Sequence, residues 1–247
     1  YWMDAVEQAP ENFQETHEDP RWVEIWKDVL MQYHKREDGT FAPLAQQNVD
    51  TGMGLARTLA VLPGKETVFD TELFLPIIQK IEERSCRRYE ESEQTRRSMR
   101  IIADHLRAAV FILGDPHGIA PSNVDQGYVL RRLIRRAIRH GRQLGIQDAF
   151  IVAIADVIVR VMRDPYSEME EHHPYIREAL KREEEKFGKT IEKGLREFEK
   201  MLATGSLSGE EAFVLYSTYG FPLELTEELV HDKGQTIDKE AFEKEFR

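Results

Sequence analysis

Asp50, Gly52, Gly54 and Arg57 form the first group of residues whose types and spacing could do chemistry. A carboxylate can hold an ammonium group, and glycines leave the backbone open to close approach by another molecule. An arginine one helical turn further on offers a planar guanidinium that can grip phosphate oxygens. Together these groups suit a ligand that carries an ammonium and a phosphate. They are equally typical of an ordinary helix start, because a single Gly-x-Gly pattern is a weak signal.

A second group consists of arginines on one amphipathic helix, predicted over residues 126–144. Apolar residues at helical spacing form one stripe of this helix. Much of the remaining surface is covered by Arg131, Arg132, Arg135, Arg136, Arg139 and Arg142. Cations this close repel one another unless anions neutralise them. One interpretation is a track for nucleic-acid phosphates. The alternative is a solvated face paired with acids such as Glu168, Glu170 and Glu171, or Glu183, Glu184 and Glu185.

The remaining candidates for chemistry point to structural roles. His172 and His173 are adjacent, so they do not face one metal ion from a helix. Asp104 and His105 could form a dyad, although a histidine satisfied within the fold is the simpler interpretation. Cys86 is the single cysteine, which excludes an internal disulfide and a cysteine-rich zinc site. The sequence therefore predicts no metal site.

The elements that must position these groups are a short hairpin and a series of helices. Residues 29–34 predict a buried strand and 36–40 a hairpin turn, and the chain returns from Phe41 into the turn at Asp50. A helix capped by Asp70 or Thr71 follows. Further helices are predicted over 98–113, 126–144, 148–162, 175–201, 210–219, 223–232 and 238–246. The helix over 175–201 is highly charged and is predicted to be a surface helix rather than a site.

Composition limits the class of protein. With 41% hydrophobic and 32% charged residues, the chain has the composition of a soluble, helix-rich protein. A formal net charge of −11 argues against unspecific nucleic-acid binding by the whole molecule, but it allows a local basic face. No apolar run is long enough to cross a membrane, the candidate 108–113 ends at once in Gly114-Asp115-Pro116, and the first residues lack the basic region of a signal peptide. We expect a cytoplasmic protein without membrane contact.

The order of several short motifs is more specific than any one of them. In chain order they are Glu24-Ile25-Trp26, Val29-Leu30-Met31-Gln32-Tyr33, Val49-Asp50-Thr51-Gly52-Met53-Gly54-Leu55, Asp70-Thr71-Glu72-Leu73-Phe74, Pro121-Ser122-Asn123, Gly127-Tyr128-Val129-Leu130-Arg131-Arg132 and Tyr219-Gly220-Phe221-Pro222. With these motifs the sequence closely resembles the alanyl-tRNA synthetases, over nearly the whole chain after about residue 19.

The resemblance implies an α+β fold, with a small antiparallel β portion of a class II synthetase core followed by a mostly α-helical domain. Residues 1–85 would be the C-terminal part of the aminoacylation core, with its third signature at 48–62, and 86–247 the helical tRNA-recognition domain. A charged stretch, 82–94, marks the boundary between them. The family activates alanine with ATP and Mg²⁺ to alanyl-adenylate and transfers alanine to the 3′ end of tRNA(Ala).

The resemblance also assigns roles to residues. Arg57 would be the catalytic residue and bind the ATP phosphates, Asp50 would hold the alanine ammonium, and Gly52 would line the side-chain pocket. Gly54 and Trp26 would complete the alanine and ATP site. Asn123 matches the residue that reads the G·U pair of the tRNA acceptor stem, with Ser217 as its partner. The tRNA phosphates would be contacted by Arg131, Arg132, Arg135, Arg136 and Arg139.

Some positions depart from the family. Lys27 stands where asparagine is usual, Ala56 where glutamate is usual, and Ser217 where aspartate is usual; serine can hydrogen-bond but carries no charge. The first two class II signatures and the editing domain with its zinc-binding residues are not in the chain. The start, Tyr1-Trp2, is typical of the middle of a strand, so we expect a catalytic segment elsewhere, in cis or in trans.

Two functions follow from this resemblance. The chain is a piece of an alanine–tRNA ligase that is inactive by itself, or it is a non-catalytic tRNA-binding split half or paralogue.

Overall fold

The computed structural model describes residues 3, 7–203 and 205–246. Tyr1 and Trp2, predicted to lie in a strand, are outside the described residues. The chain divides into two compact units, Tyr1–Leu75 and Pro76–Arg247. The assignment of catalysis and tRNA recognition to residues before and after 85 stays a prediction.

The first unit is built around a β-hairpin. Strand β1 covers Trp26–Lys35 and pairs in antiparallel register with β2, Phe41–Met53. Asp38 stabilises the turn between them, because its Oδ1 accepts hydrogen bonds from the backbone nitrogen of Thr40 at 2.9 Å and from its hydroxyl at 2.7 Å. The other described elements of the unit are α1 (Phe13–Thr16), α2 (Leu55–Val61) and a short 3₁₀ helix (Val68–Asp70).

The hairpin was predicted correctly, but the prediction that its first strand is buried is wrong. All residues of β1 are exposed, and Leu30 and its cross-strand partner Val49 are 71% and 62% exposed. The unit has two strands among its described residues, so no further layer covers either face of the sheet. An apolar run shows that a strand suits burial, but it does not show what buries it.

The second unit consists of helices in its described part. They are α3 (Leu75–Ser85, whose first residue belongs to the first unit), α4 (Glu93–Gly114), α5 (Asp125–Gln143), α6 (Ile151–Met162), α7 (Glu168–Glu171), α8 (His173–Ala203), α9 (Gly209–Tyr219), α10 (Leu223–His231) and α11 (Lys239–Phe246). Together with the antiparallel hairpin they confirm the predicted α+β class. Within the described residues, no helix is both long enough and apolar enough to cross a membrane.

The starts of α4 and α3 differ most from the prediction. Helix α4 begins five residues before the predicted start, because Ser92 caps it: the Ser92 side chain accepts from the backbone nitrogen of Thr95 at 3.1 Å. Helix α3 begins at Leu75 instead of directly after Asp70 or Thr71. Asp70 instead completes a capping box on the 3₁₀ helix, in which Thr67 is the N-cap and the Asp70 carboxylate accepts from the backbone nitrogen of Thr67 at 2.9 Å.

The core of the second unit lies where α4 packs on α5 and where α8 packs on α5, α6 and α9. Fully buried side chains from four of these helices meet there, among them Leu106, Ile134, Ile154 and Phe187. Burial of each such side chain contributes about 1.5–3 kcal/mol, so this apolar contact holds the helices together.

A glycine sets the distance between α8 and the loop after α9. A Cβ atom added to Gly194 would lie 2.3 Å from the Phe221 ring, which is closer than real contacts allow. The absence of a side chain at Gly194 therefore lets Phe221 lie directly on α8. The same loop begins with Gly220, whose positive φ of 69° ends α9 as predicted.

The start of α6 depends on a carboxylate from α8. Oε1 of the buried Glu184 accepts hydrogen bonds from the backbone nitrogens of Phe150 at 2.9 Å and Ile151 at 3.4 Å. Burial raises the pKa of the Glu184 carboxyl, while these two bonds act in the opposite direction. Within the acidic run 183–185, Glu184 therefore ties α8 to α6, and Glu183 is also buried, while Glu185 is exposed.

Candidate functional site

The turn from β2 to α2 brings the first predicted group together. Side chains alternate between the two faces of a strand, so Asp50 and Gly52 lie on one face of the hairpin. Their cross-strand partners, Val29 and Lys27, lie on the same face. Asp50 is exposed, and this face therefore presents a carboxylate beside a position without a side chain.

Arg57 joins this face through Gly54. Gly54 continues the extended backbone beyond β2, and its nitrogen donates to the Ile25 carbonyl at 3.0 Å. A Cβ atom at Gly54 would lie 3.4 Å from Cδ of Arg57, so the arginine stem lies on the side where Asp50 and Gly52 point. Nη1 of Arg57 donates to the Glu24 carbonyl at 2.9 Å, which fixes one arm of an exposed guanidinium.

The structure does not bring Trp26 to that face. Trp26 is paired with Met53, and by alternation both lie on the opposite side of the hairpin with Leu30 and Val49. That side is apolar and exposed. The face of Asp50 and Gly52 instead carries Lys27 directly opposite Gly52, where the predicted resemblance expects asparagine. The role predicted for Trp26 at the alanine and ATP site stays a prediction.

The described residues hold no group of three or more His, Cys, Asp or Glu side chains that could bind a metal ion. Mg²⁺ usually keeps several waters and is bound through one or two carboxylates together with substrate phosphates. The groups around Asp50 fit binding of Mg²⁺ together with substrate phosphates, because they offer one exposed carboxylate near a guanidinium that suits phosphate oxygens. A magnesium ion would therefore come with ATP and not with a cage of protein ligands.

The second unit contains a pocket of about 350 Å³ that joins the two residues predicted to read tRNA. Asn123 lies in the loop before α5, Ser217 lies near the end of α9, and both line this pocket. Its basic lining residues are Arg131, Arg135 and Lys186. The fold thus brings together two polar side chains that are far apart in sequence, beside positive charge.

Packing and hydrogen bonds hold Asn123 in place. A Cβ atom at Gly127 would lie 2.3 Å from Oγ of Ser122, so the loop can close tightly onto the first turn of α5. The Asn123 carbonyl oxygen accepts from Nη1 of Arg131, which assigns the orientation of the amide. Its NH₂ group remains as a donor toward the pocket.

Ser217 has its proton engaged within its own helix. Its hydroxyl donates to the carbonyl oxygen of Phe213 at 2.8 Å. The hydroxyl oxygen keeps free lone pairs, and Ser217 lines the pocket, so the site can offer one amide donor and one hydroxyl acceptor.

The arginines of α5 are largely neutralised inside the second unit. Nε of Arg131 and Nε of Arg135 lie 3.2 and 2.7 Å from one carboxylate oxygen of Glu183 on α8. The Glu183 side chain is 4% exposed, and each arginine side chain is 12% exposed. Arg135 also stacks on Phe187, with 5.0 Å between its guanidinium carbon and the ring centroid, and donates to the Gly220 carbonyl.

The other face of α5 pairs with α10. Arg132 binds Glu224 at 2.6 Å, Arg136 binds Glu228 at 2.8 Å, and Arg139 binds Asp232 at 3.0 Å. We call this row of pairs the α5–α10 ladder. The Arg139 side chain is 5% exposed, so it is not available to a phosphate in this structure.

Of the acidic partners considered from the sequence, Glu183 is one that the structure uses. Glu168, Glu170 and Glu171 make no ion pair with α5 in the described part of the chain, and the acids of α10 were not considered. A signal for them exists, because Glu224, Glu228 and Asp232 recur every four residues, as Arg132, Arg136 and His140 do.

Glu228 is the centre of the ladder. Burial favours its neutral form, but this is outweighed by hydrogen bonds from His140 and Arg136 and by the charge of Arg139, which hold the pKa of the Glu228 carboxyl far below its usual range. Burial lowers the pKa of His140 despite the nearby carboxylate. A neutral imidazole can donate from Nε2 to Glu228 at 3.3 Å and accept at Nδ1 from the Ser98 hydroxyl at 3.2 Å.

The predicted histidine candidates have structural partners. His105 contacts Asp104 through Nδ1 at 3.1 Å and Arg136 through Nε2 at 2.9 Å, so it is an extension of the ladder. His172 bonds the Gly114 carbonyl at 2.6 Å, and His173 bonds Asp156 at 2.8 Å. The two adjacent histidines thus serve different contacts.

Comparison with known proteins identifies the family. The family model for tRNA synthetases class II (A) matches residues 3–247. The chain belongs to this family. The predicted resemblance to alanyl-tRNA synthetases is thereby confirmed.

Named relatives agree with this family. The chain is 48% identical to the alanine–tRNA ligase of Borreliella afzelii over 230 residues, which are 92% of this chain and 39% of that protein. It is 49% identical to the alanine–tRNA ligase of Treponema denticola over 233 residues, with the same two coverages. Over 244 residues it is 42% identical to the alanine–tRNA ligase of Pediococcus pentosaceus, covering 96% of this chain and 27% of that protein. The chain therefore spans two fifths or less of these relatives.

The ladder predicts a loss of stability in acid. A carboxyl pKa below the unfolded value of 4.5 gives stability that is present above that pH and is lost as pH falls, and the lowered pKa of His140 acts in the same direction below 6.5. Glu228→Gln should lower the free energy of unfolding by about 3 kcal/mol at pH 7, and its difference from the wild type should shrink between pH 5 and pH 3. Urea unfolding followed by helical circular dichroism measures both effects.

Glu178→Gln is the matched control for that substitution. Glu178 forms an exposed pair with Arg182 on α8 at 3.3 Å, so its loss should change stability by less than about 1 kcal/mol. Equal effects of the two substitutions at every pH would show that Glu228 does not hold the ladder.

Proposed function

We propose that this chain is part of an alanine–tRNA ligase, which activates alanine with ATP and transfers it to the 3′ end of tRNA(Ala). The observation that carries the proposal is the pocket in which Asn123 and Ser217 meet beside Arg131, Arg135 and Lys186. An amide and a hydroxyl suit the edge of a base pair, and the cations suit the phosphates beside it. The names of the relatives support the same activity.

In the proposed first step, an oxygen of the alanine carboxylate attacks the α-phosphorus of ATP. A bond forms between this carboxylate oxygen and the α-phosphorus, the bond from the α-phosphorus to the bridging oxygen of the β-phosphate breaks, and pyrophosphate leaves. Asp50 holds the alanine ammonium, and Gly52 leaves room for the methyl side chain. The arm of Arg57 that is not bound to Glu24 stabilises charge on the phosphates as the leaving group departs. Magnesium bound to ATP supplies further charge neutralisation.

In the second step, a hydroxyl at the 3′ end of the tRNA attacks the acyl carbon of the adenylate and AMP leaves. The second unit contributes recognition to this step. In A-form RNA the minor groove is wide and shallow, so the Asn123 amide can reach a base-pair edge there. A G·U pair presents a guanine amino group in that groove, for which the Ser217 oxygen is a suitable acceptor. Both steps take place, in our proposal, in the cytoplasm.

One observation favours a second candidate, a non-catalytic tRNA-binding module. Lys27 lies directly opposite Gly52, on the face of the hairpin that carries Asp50. Its ammonium brings a second positive charge to the region where Asp50 would hold the ammonium of alanine. In this alternative the first unit has lost activation, and the second unit retains the pocket for RNA.

We expect that the 247-residue chain by itself does not form alanyl-adenylate. The first two signatures of the family are not in it, and one of them supplies the arginine that holds the α-phosphate. Alanine-dependent exchange of pyrophosphate into ATP measures this directly, with a full-length alanine–tRNA ligase as positive control. Exchange above background by this chain would contradict the expectation and would exclude the non-catalytic alternative.

Asn123→Ala tests the recognition pocket. The chain should bind a duplex with the tRNA(Ala) acceptor-stem sequence and a G·U pair more tightly than the same duplex with G·C. Removal of the amide should cost about 1 kcal/mol of binding free energy for the G·U duplex and bring the two affinities together. Binding titrations at one fixed salt concentration measure this.

Gln126→Ala is the control for the same loop, because Gln126 is exposed but does not line the pocket. It should leave the preference for G·U intact. Equal binding of both duplexes by the wild-type chain would refute reading of the pair by this pocket.

A further inference from the structure

Helix α8 carries a row of exposed cations along one face. The spacing alternates between four and three residues, which keeps the side chains aligned on an α-helix. The members are Arg182, Lys186, Lys189, Lys193, Arg196 and Lys200, and all are exposed. We call them the α8 basic stripe.

The core fixes the orientation of this stripe. Phe187, Ile191, Gly194 and Phe198 are buried on another face of α8, and Gly194 lies against Phe221. Because a helix with a fully packed apolar face cannot turn about its axis without losing that burial, the stripe is held toward solvent.

The middle of the stripe is not neutralised within the second unit. Arg182 pairs with Glu178 at 3.3 Å, and Lys200 pairs with Glu197 at 2.6 Å, so both ends have partners. Among the described residues, no carboxylate lies within ion-pair distance of the four cations between them, Lys186, Lys189, Lys193 and Arg196. This distinguishes them from the arginines of α5, whose charges are bound to Glu183 and to α10.

Three exposed acids of α8 form a row of their own, whereas Glu178 and Glu197 lie at the paired ends of the basic stripe. Glu185, Glu192 and Glu199 recur every seven residues, so they form their own row next to the basic stripe. Because the four middle cations have no carboxylate at ion-pair distance among the described residues, this part of the helix keeps a positive face despite its balanced composition.

The stripe continues from the proposed recognition pocket. Lys186 and Thr190 of α8 line the pocket together with Asn123 and Ser217. From Lys186 to Arg196 the helix rises by ~15 Å at 1.5 Å per residue. This length is enough to face several phosphates along one strand of a duplex.

We propose that the α8 basic stripe binds the phosphates of one strand of the RNA duplex whose base-pair edge lies in the pocket. This inference rests on the proposed function for the nature of its ligand, an acceptor-stem duplex. Lysine and arginine contacts to phosphates position an RNA without reading its sequence. Asn123 and Ser217 then discriminate between base pairs, while α8 supplies binding affinity and fixes the register of the duplex.

The test is a triple charge reversal, Lys189→Glu with Lys193→Glu and Arg196→Glu, in the full chain. Lys186 is kept because it lines the pocket. Affinity for the G·U acceptor-stem duplex should fall roughly tenfold to hundredfold at low salt. The slope of log K against log salt concentration should become shallower by about 3, one for each lost phosphate contact. The loss should be equal for the G·U and G·C duplexes.

Two companion variants separate this effect from charge and folding. Lys65→Glu with Arg87→Glu and Arg163→Glu makes the same change in net charge at exposed positions outside α8, and it should leave the salt slope within one unit of the wild type. Lys189→Gln with Lys193→Gln and Arg196→Gln avoids added repulsion within α8, and it should give the same direction of change with an unaltered helical spectrum.

The outcomes distinguish this inference from the proposed function. If the two charge-reversal variants lose the same affinity and keep the wild-type salt slope, the α8 inference is overturned, even where the G·U preference persists. If the wild type shows no G·U preference but the α8 variant loses affinity and slope as predicted, the stripe stands as an RNA-binding surface and the reading of the pair fails.

Discussion

Neutralisation of the α5 arginines is the constraint on which the second unit depends. Isolated guanidinium groups at low exposure are costly, so each needs a carboxylate or a carbonyl oxygen close by. Glu183 supplies one side of α5, and the acids of α10 supply the other. Because the two sources lie on different helices, the charge on α5 fixes how both α8 and α10 are placed around it.

This constraint explains where the recognition pocket forms. Arg131 reaches from α5 both to Glu183 and to the Asn123 amide, and Arg135 reaches to Glu183 and to the Gly220 carbonyl after α9. The same two arginines therefore attach the loop of Asn123 and the end of α9 to a common support. They hold the pocket together, and we propose that the exposed cations of α8 contact the RNA backbone.

The first unit shows a different arrangement, since its site is made by backbone geometry instead of buried charge. The strand alternation brings Asp50 and Gly52 to one face, and Gly54 lets Arg57 lie there. An exposed carboxylate and guanidinium on an open hairpin suit ligands that bring their own opposite charges. Within this unit, no described layer covers the opposite face of the hairpin. The site on the hairpin therefore depends more on further contacts than the pocket of the second unit does.

Much of this could be predicted from local sequence patterns. The helices follow from apolar residues at helical spacing, and the Asp50 turn follows from residue types, so both were found without the structure. The start of α4 was missed because residues 93–97 are polar and the cap at Ser92 is a weak signal. The row of cations on α8 is visible in the sequence, but its mixed charge favoured the interpretation of a plain surface helix.

The failures concern contacts that are distant in sequence. The partners of Arg132, Arg136 and Arg139 lie about 90 residues further on, so the matching four-residue spacing of the two rows does not by itself show that they pair. The side of the hairpin on which Trp26 lies depends on the register with β2, and a motif alone does not contain that register. The prediction that β1 is buried failed for a related reason, because an apolar run does not identify the layer that would cover it.

The most direct test of the account is a structure of this chain bound to an acceptor-stem duplex. We expect Arg136 and Arg139 to keep their contacts with Glu228 and Asp232, and the phosphates to lie against Lys189, Lys193 and Arg196. This expectation would be contradicted by a complex in which the α5 arginines leave α10 to bind the phosphates and α8 stays in solvent.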